Sequence, residues 1–562
     1  MRVIYFAKSS GSREFASLQP DYYMKSGYIL IPIVAAAVYL GLMRLDNTVF
    51  WDDEAETGIV AENFLKLGRL TGWDGRNLLA YNNGGILDEN LRSRNPPLGY
   101  LMAAASFRLF GVSTWAGRFP FLMAGLACIF LLALLLRQDF GRDSPIWVYG
   151  TAALAFSVVF LLNIRQCRYY SLAMLFSLLA FLFYRRCLAT GRLIYFILLA
   201  AAAVLLFYAN FLLCAAFLAA MLLICLIFHG DKLRKNWLKF ALAGILLAAA
   251  TIPYGLYFRI WQRSDISSTE VWYVRKLILL WWNFRELSLP GIVPWTIAAG
   301  LICFVIYYRK KEKDIPLILE WAVLTAAYVI FLALLSHQST ENTKIADSRY
   351  LTLIIPFSAG LTGMLIWFIH RKTKLGAVAT FSLIVLTNLA SVEPNGWEFR
   401  WILPAYINEI HHDYPTAYGE VVRFFEKNAG QDDKVFACPE YASYPLMFYL
   451  GRQVKMCCLL DSQTTLPMTK VRGLGAPLLL EENFPDWIVF FGLLSNSVGG
   501  VEYFSRLHIQ GAEQVQFYYQ MVETLDVYDT DTSRPELPWH RFGPVTSFDR
   551  QSRAVYILKK GG

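Results

Sequence analysis

Eleven apolar runs, each near the length of a bilayer-crossing helix, are the strongest constraint on what this chain can fold into. They cover 27–44, 117–136, 145–163, 170–184, 193–208, 210–228, 238–257, 289–308, 316–336, 350–369 and 375–391. Stretches of roughly 17 to 25 apolar residues can cross the hydrocarbon as helices, where every backbone polar group must be satisfied internally. Composition agrees: 56% of the 562 residues are hydrophobic and 17% are charged, with a mean hydropathy of +0.40. A soluble chain is about a quarter charged. The long polar stretch before the first run, with no small-residue site after it, argues against a cleavable signal peptide.

Lys and Arg recur in every second connector: Arg137/Arg142, Arg185/Arg186/Arg192, Lys232/Arg234/Lys235, Arg309/Lys310/Lys311/Lys313 and Arg371/Lys372/Lys374. Cytoplasmic loops carry this excess. With Arg2, Lys8, Arg13 and Lys25 at the start, the bias predicts a cytoplasmic N-terminus and an external tail. The net charge of +9 is mostly this topology signal and gives no reason to invoke nucleic acid.

The segment from Asn95 to Phe110 is apolar but short, and carries Pro96, Pro97 and Arg108. Counting it as a span would reverse every later connector, so it reads as a helix lying in the membrane interface. A large outer loop then runs from about 46 to 117 with two surface helices. The chain divides into a membrane domain, 1–391, and an extracytoplasmic α/β domain, 392–562. In the latter, Val421 to Lys427 reads as helix, and Lys434 to Ala437, Trp487 to Phe491 and Ala554 to Leu558 as strands. The nine cysteines show no metal spacing. Cys128, Cys167, Cys187, Cys214, Cys225 and Cys303 fall in or near spans; Cys438, Cys457 and Cys458 lie where a disulfide is permitted but not demanded.

Chemistry concentrates just after the first run, at Trp51-Asp52-Asp53-Glu54. Carboxylates held at a bilayer surface are costly and mark a functional site. The structural alternative is an N-cap at Asp53, with Glu56 three residues on completing a capping box. Outer loops also hold cations that the charge bias disfavours. Arg165 and Arg168 lie in Ile164-Arg165-Gln166-Cys167-Arg168-Tyr169-Tyr170, and Arg259, Arg263, Arg275, Lys276 and Arg285 between the seventh and eighth runs. Lys344 and Arg349 precede the tenth. A single exposed Arg is usually solvated, but several on one face suit a lipid phosphate, which guanidinium grips through paired hydrogen bonds.

Three motifs make the chain similar to integral-membrane glycosyltransferases that use polyprenyl-phosphate sugars. These are the protein O-mannosyltransferase family (glycosyltransferase family 39) and the lipid A aminoarabinose transferases, which share the GT-C fold. Asp53-Glu54 resembles the family's acidic pair. Asn95-Pro96-Pro97-Leu98-Gly99-Tyr100, followed by Leu109-Phe110-Gly111-Val112 and Arg118-Phe119-Pro120, resembles its Pro-Pro surface helix and the start of its second span. Arg165 to Tyr170, and Arg349-Tyr350-Leu351 leading to Pro356, resemble its later outer-end signatures. Where many relatives carry His or Glu-Lys before the two prolines, this chain has Arg94 and Asn95, which argues against a metal site there. Trp281-Trp282-Asn283-Phe284 is similar to an oligosaccharyltransferase signature but lacks the acid, and reads as an interfacial aromatic belt.

The resemblance implies an inverting displacement at the anomeric carbon, in the plasma membrane of a bacterium. The acceptor hydroxyl would belong to lipid A, a cell-surface glycan or a protein. Asp53 would deprotonate or orient the acceptor, with Glu54 beside it. Arg165, Arg168, Arg349 and Tyr350 would hold the phosphate, and Arg94, Asn95, Tyr169, His337 and Lys344 are further cavity candidates. No cofactor is demanded. A divalent metal stays open, with Asp53, Glu54, Asp88, Glu89 and His337 as ligands that no spacing compels. The competing class is a transporter or flippase of lipid-linked sugars, which fits poorly with the large tail and the absence of repeat halves in the sequence. The charge bias makes a test: an engineered Ser497→Cys should react with an impermeant thiol reagent in intact cells, and reaction only after lysis would reverse the orientation.

Overall fold

The computed structural model describes residues 27–80, 84–260, 272–287, 295–309, 314–338, 340, 348–389, 399–413, 415–458, 460, 466, 468–478, 484–491, 519–527 and 554–561. Ser497 and Lys344 lie outside them. The first half runs α1 (Gly27–Leu42), α2 (Asp52–Leu67), α3 (Leu98–Phe110), α4 (Thr114–Phe140), α5 (Ile146–Ala155), α6 (Val158–Ile164), α7 (Tyr170–Thr190) and α8 (Leu193–Ala209). Then come α9 (Phe211–Lys235), α10 (Trp237–Phe258), α11 (Trp272–Leu287), α12 (Trp295–Tyr308) and α13 (Ile315–Leu335). A 3-10 segment, Ser348–Ile354, leads into α14 (Ile355–His370), and α15 (Lys374–Leu386) follows.

Within the described residues every apolar run coincides with a helix or a helix pair. Among them six segments are long and apolar enough to cross a membrane: α4, α7, α9, α10, α13 and Arg349–His370. The run expected as one helix over 145–163 is instead α5 and α6, meeting at 57°. The reason is local: Ser157 is extended, and its Oγ accepts from the Phe160 N–H at 3.3 Å, so it starts a new helix. The helices α1, α8 and α15 are apolar but shorter. Where α5 crosses α14 the backbones nearly touch, because a Cβ on Gly363 would meet Gly150 N at 2.5 Å. Paired glycines permit such an approach without any helix–helix hydrophobic drive.

The surface helices form as expected. At 13 residues α3 is too short to cross a bilayer core. It packs between α2 and α4 and exposes Leu101, Leu109 and Phe110. Helix α11 exposes Trp272, Tyr273, Leu277 and Trp281 while burying Lys276, Leu279 and Asn283, the pattern of an interfacial helix.

After α16 (Ile402–His411) and α17 (Ala417–Asn428), the tail builds a sheet from β1 (Lys434–Cys438), β2 (Lys455–Met456), β3 (Trp487–Phe491), β4 (Tyr519–Asp526) and β5 (Ala554–Lys560). The strand order is β2-β1-β3-β5-β4. Strands β2 and β3 lie parallel to β1 on its two sides, and β5 is antiparallel to β3 and β4. Thr416 caps α17, whose Val421, Val422 and Phe425 are buried in the same cluster as Val435, Val489 and Ile557. Cys438, Cys457 and Cys458 are buried. Helix α18 (Ser443–Leu450) follows β1 and docks onto α2. The contact is so close that a Cβ on Gly58 would sit 2.8 Å from the Phe448 ring. Tyr449 Oη accepts from Phe50 N at 2.8 Å and lies 2.6 Å from Thr114 Oγ1. One core thus runs from the membrane domain into the tail.

Ion pairs pin both ends of the bundle. At one end Arg118 of α4 meets Glu54 of α2 through Nε–Oε1 at 2.8 Å and Nη2–Oε2 at 2.6 Å, and Glu54 is wholly buried. At the other end of α4 and α7, Arg185 bridges Asp139 (2.8 Å) and Glu320 (2.6 Å). His229 Nε2 adds a contact to Glu320 at 3.1 Å, and Trp321 donates to Asp139 at 2.9 Å. Arg185, counted among the basic connectors, is buried and paired. Breaking one partner of a buried pair leaves an uncompensated charge, a cost of about 3–5 kcal/mol. Arg118→Ala should lower unfolding stability in detergent by about that amount. The double replacement Glu54→Leu/Arg118→Met should cost less than either single change; an additive loss would deny the coupling.

Candidate active site

The first turn of α2 decides which carboxylates can reach a ligand. Helix geometry puts Asp53, Glu56 and Thr57 on one face, at i, i+3 and i+4, and turns Glu54 about 100° away. Trp51 is the N-cap by position and makes no side-chain cap bond. Asp53 is therefore inside the helix, not its cap as the capping-box alternative proposed. Its side chain points to cations.

Those cations are two of the three arginines expected at the phosphate. Arg349 Nη1 lies 2.5 Å from Asp53 Oδ2, and Arg168 Nη2 lies 3.0 Å from the same oxygen. Arg168 Nη1 also donates to the Asp53 carbonyl at 2.8 Å and Thr57 Oγ1 at 3.2 Å, and sits 3.4 Å from Glu56 Oε2. Burial works against the Arg168 charge, but Asp53 and Glu56 hold it firmly protonated. Each guanidinium also lies over a tyrosine ring: Arg168 is 5.6 Å from the Tyr169 centroid and Arg349 5.7 Å from that of Tyr350.

Beside this cluster Glu56 accepts from Tyr100 Oη at 2.6 Å and Asn95 Nδ2 at 2.7 Å. Burial first, then the Glu56 carboxylate, push the Tyr100 phenol well above its usual value, so it remains a donor to Glu56. The Pro-Pro motif thus serves to bring Asn95 and Tyr100 over the α2 face. On the far side, burial with Lys276 and Arg275 nearby lowers the His337 imidazole below its usual value, keeping it neutral at pH 7.

These groups head a cavity of about 830 Å³. Its polar end holds Asp52, Asp53, Glu56, Asn95, Tyr100 and Thr57, with Arg168, Tyr169, His337, Arg349 and Tyr350 facing them. Its other end is apolar and runs between membrane helices, lined by Phe207 of α8, by Phe211, Leu212, Ala215 and Leu218 of α9, and by Leu247 of α10. The α9 positions repeat at helical spacing, so one stripe of that helix faces the space. Two further walls come from the tail, at Tyr441 and Tyr444.

Three of the expected residues sit elsewhere. Glu54 does not line the cavity; it is held by Arg118 and by the Cys167 N–H at 2.7 Å. Arg165 turns to the end of α1, donating to the carbonyls of Gly41 (2.8 Å), Met43 (2.8 Å) and Arg44 (2.9 Å). The unpaired carbonyls at a helix C-terminus explain that choice. Arg94 also lies off the cavity. Among the described residues no three His, Cys, Asp or Glu side chains converge to hold a metal ion. In the sequence the i+3 spacing of Glu56 from Asp53 is the signal for a second ligand-facing carboxylate. Tyr100 is marked only by its place in the Pro-Pro motif, and no local signal marks Tyr441 or Tyr444.

A family model described as dolichyl-phosphate-mannose-protein mannosyltransferase matches residues 94–254. Among curated protein sequences none matches this chain. Solved structures do match. ArnT from Cupriavidus metallidurans bound to undecaprenyl phosphate aligns over 95% of this chain and 98% of its own, with TM-score 0.51 and 13% identity. Apo ArnT gives TM-score 0.53 at 12% identity over 84% of this chain and 95% of its own. This is a GT-C fold. Archaeal oligosaccharyltransferase AglB from Archaeoglobus fulgidus, in complex with an inhibitory peptide and a dolichol-phosphate, extends the GT-C likeness. It aligns over 89% of this chain and 72% of its own, with TM-score 0.51 and 11% identity. In this GT-C chain the two arginines of the 164–170 motif have separate duties. Arg165→Ala should cost about 1.5–3 kcal/mol of unfolding stability in detergent, as for hydrogen bonds to a charged group. Unchanged stability would show that Arg165 does not hold the end of α1.

Proposed function

We propose that the chain moves a sugar from a polyprenyl-phosphate donor to a hydroxyl acceptor at the outer surface of a bacterial plasma membrane, inverting the anomeric centre. One observation carries this reading. A single cavity joins an apolar channel between membrane helices to a head of two guanidinium groups and a carboxylate. A long isoprenoid chain attached to a phosphate has that same polarity profile. Arg168 Nε supports the reading further, since it is a buried donor without a hydrogen-bond partner among the described residues, and buried donors are normally satisfied.

The chemistry follows from the ion pairs. Arg168 and Arg349 both sit on Asp53 Oδ2. A donor phosphate competes for the same guanidinium groups through charge-assisted bonds. As Arg168 and Arg349 shift to the phosphate, the Asp53 carboxylate becomes available to the acceptor beside the anomeric carbon. The acceptor oxygen then attacks that carbon and its proton passes to Asp53. The bond from carbon to phosphate oxygen breaks, and polyprenyl phosphate leaves as an anion held by both arginines. Glu56, fixed by Asn95 and Tyr100, orients Arg168 and offers its second oxygen to a sugar hydroxyl. The sugar and the acceptor class are set by the walls around this centre.

Asp53→Asn tests the arrangement with two opposed readouts. Sugar transfer should fall ~100- to 10,000-fold, the range for a general base. Polyprenyl phosphate should bind at least as tightly as to the unaltered chain, because the competing carboxylate charge is gone. Near-normal transfer, or loss of phosphate binding, would remove Asp53 from this role.

A further inference from the structure

The tail domain places one loop on the cavity, and its position in the sheet is informative. Strand β1 has parallel neighbours on both sides, and the chain leaves β1 for β2 on one side and later returns to β3 on the other. The carboxyl end of β1 is therefore the point where strand order reverses, the place where open α/β sheets bind ligands. The residues that follow β1 directly are Pro439, Glu440 and Tyr441, and α18 begins with Ser443-Tyr444. Tyr441 and Tyr444 are the tail's contribution to the cavity wall. They reach it because α18 is locked to α2 at Gly58 and Phe448, one turn beyond the Asp53 face.

We propose that Tyr441 and Tyr444 form an acceptor subsite that recognises a saccharide ring, so that the acceptor is a glycan or glycolipid. This deepens the transferase reading above and rests on it. The donor's isoprenoid has the apolar channel between α8, α9 and α10, and its phosphate has Arg168 and Arg349. The wall left for the acceptor is the one built by the tail. Tyrosine offers a flat apolar face with a polar tip, which matches a sugar's C–H face and its ring of hydroxyls. A peptide acceptor would favour an open strand edge for backbone pairing. The edge next to this loop is β2, and it is already occupied: Met456 N donates to Asn77 Oδ1 of the outer loop at 2.7 Å. Asn77 Nδ2 donates in turn to Gly451 O at 3.2 Å, so the outer loop seals that edge.

The test uses the full-length chain in lipid nanodiscs and saturation-transfer NMR. The probes are a panel of methyl pentosides and methyl hexosides, and a matched panel of short Ser/Thr peptides. One or more glycosides should receive saturation, and the signal should drop about tenfold in Tyr441→Ala and Tyr444→Ala, the size of a lost aromatic contact. Tyr441→Phe and Tyr444→Phe should keep most of it, since the ring face remains. Undecaprenyl phosphate binding, measured in parallel, should be unchanged in all four variants, which also shows that they fold. Saturation of the peptides and not the glycosides overturns the proposal. So does glycoside contact that ignores both alanine variants, or no glycoside contact at all. Loss of undecaprenyl phosphate binding by the unaltered chain would instead strike the transferase reading itself.

Discussion

Between Glu54 on α2 and Arg118 on α4, two short hydrogen bonds lock a wholly buried carboxylate to a buried guanidinium. Neither charge could stay there alone, so the pair fixes how α2 is rotated about its own axis. That rotation decides the site. With Glu54 turned toward α4, residues 53, 56 and 57 must face the other way, onto the cavity. Arg118 then spends its remaining donors on the carbonyls of Leu45, Thr48 and Val49, closing the turn that joins α1 to α2. The segment after α6 stitches the same junction residue by residue. Arg165 holds the end of α1, Gln166 accepts from Trp51, Cys167 donates to Glu54, and Arg168 reaches Asp53. Helix α18 covers the outer side of α2 at Gly58.

The site at the end of this chain of supports is held by charge competition. A carboxylate that two guanidinium groups clamp is rigid but not available to an acceptor, and guanidinium groups that a carboxylate neutralises are not a naked trap for stray anions. In the proposed reaction the donor itself exchanges these roles: its phosphate takes the cations and frees the base. Partial burial makes each of these contacts stronger than it would be in bulk solvent. In that reaction the apolar arm lined by α8, α9 and α10 is the part of the cavity suited to the donor's isoprenoid.

Much of this was legible in the residues, for definite reasons. Apolar runs report helices because lipid gives the backbone no other partner, and within the described residues every such run coincides with helical structure. The break at Ser157 escaped because one capping hydroxyl in an apolar run barely changes hydropathy. Asp53, Arg168 and Arg349 were found together because charges at span ends are costly and rare. Glu54 and Arg165 carry the same signal, and sequence alone cannot say which charged group faces a cavity and which satisfies a neighbouring helix. The difference is about 100° of helix rotation for Glu54, and the nearness of the α1 carbonyls for Arg165. Tyr441 and Tyr444 were invisible because they lie almost 400 residues from Asp53 and owe their place to sheet order and to the docking of α18.

The central claim is that the donor phosphate and the Asp53 carboxylate compete for the same two guanidinium groups. An experimental structure of the chain with undecaprenyl phosphate bound tests it most directly. The phosphate oxygens should lie within hydrogen-bond distance of both Arg168 and Arg349, with the Asp53 carboxylate released from at least one of them and the isoprenoid along α9. A phosphate bound elsewhere, with the Arg168–Asp53–Arg349 cluster intact, would contradict the account.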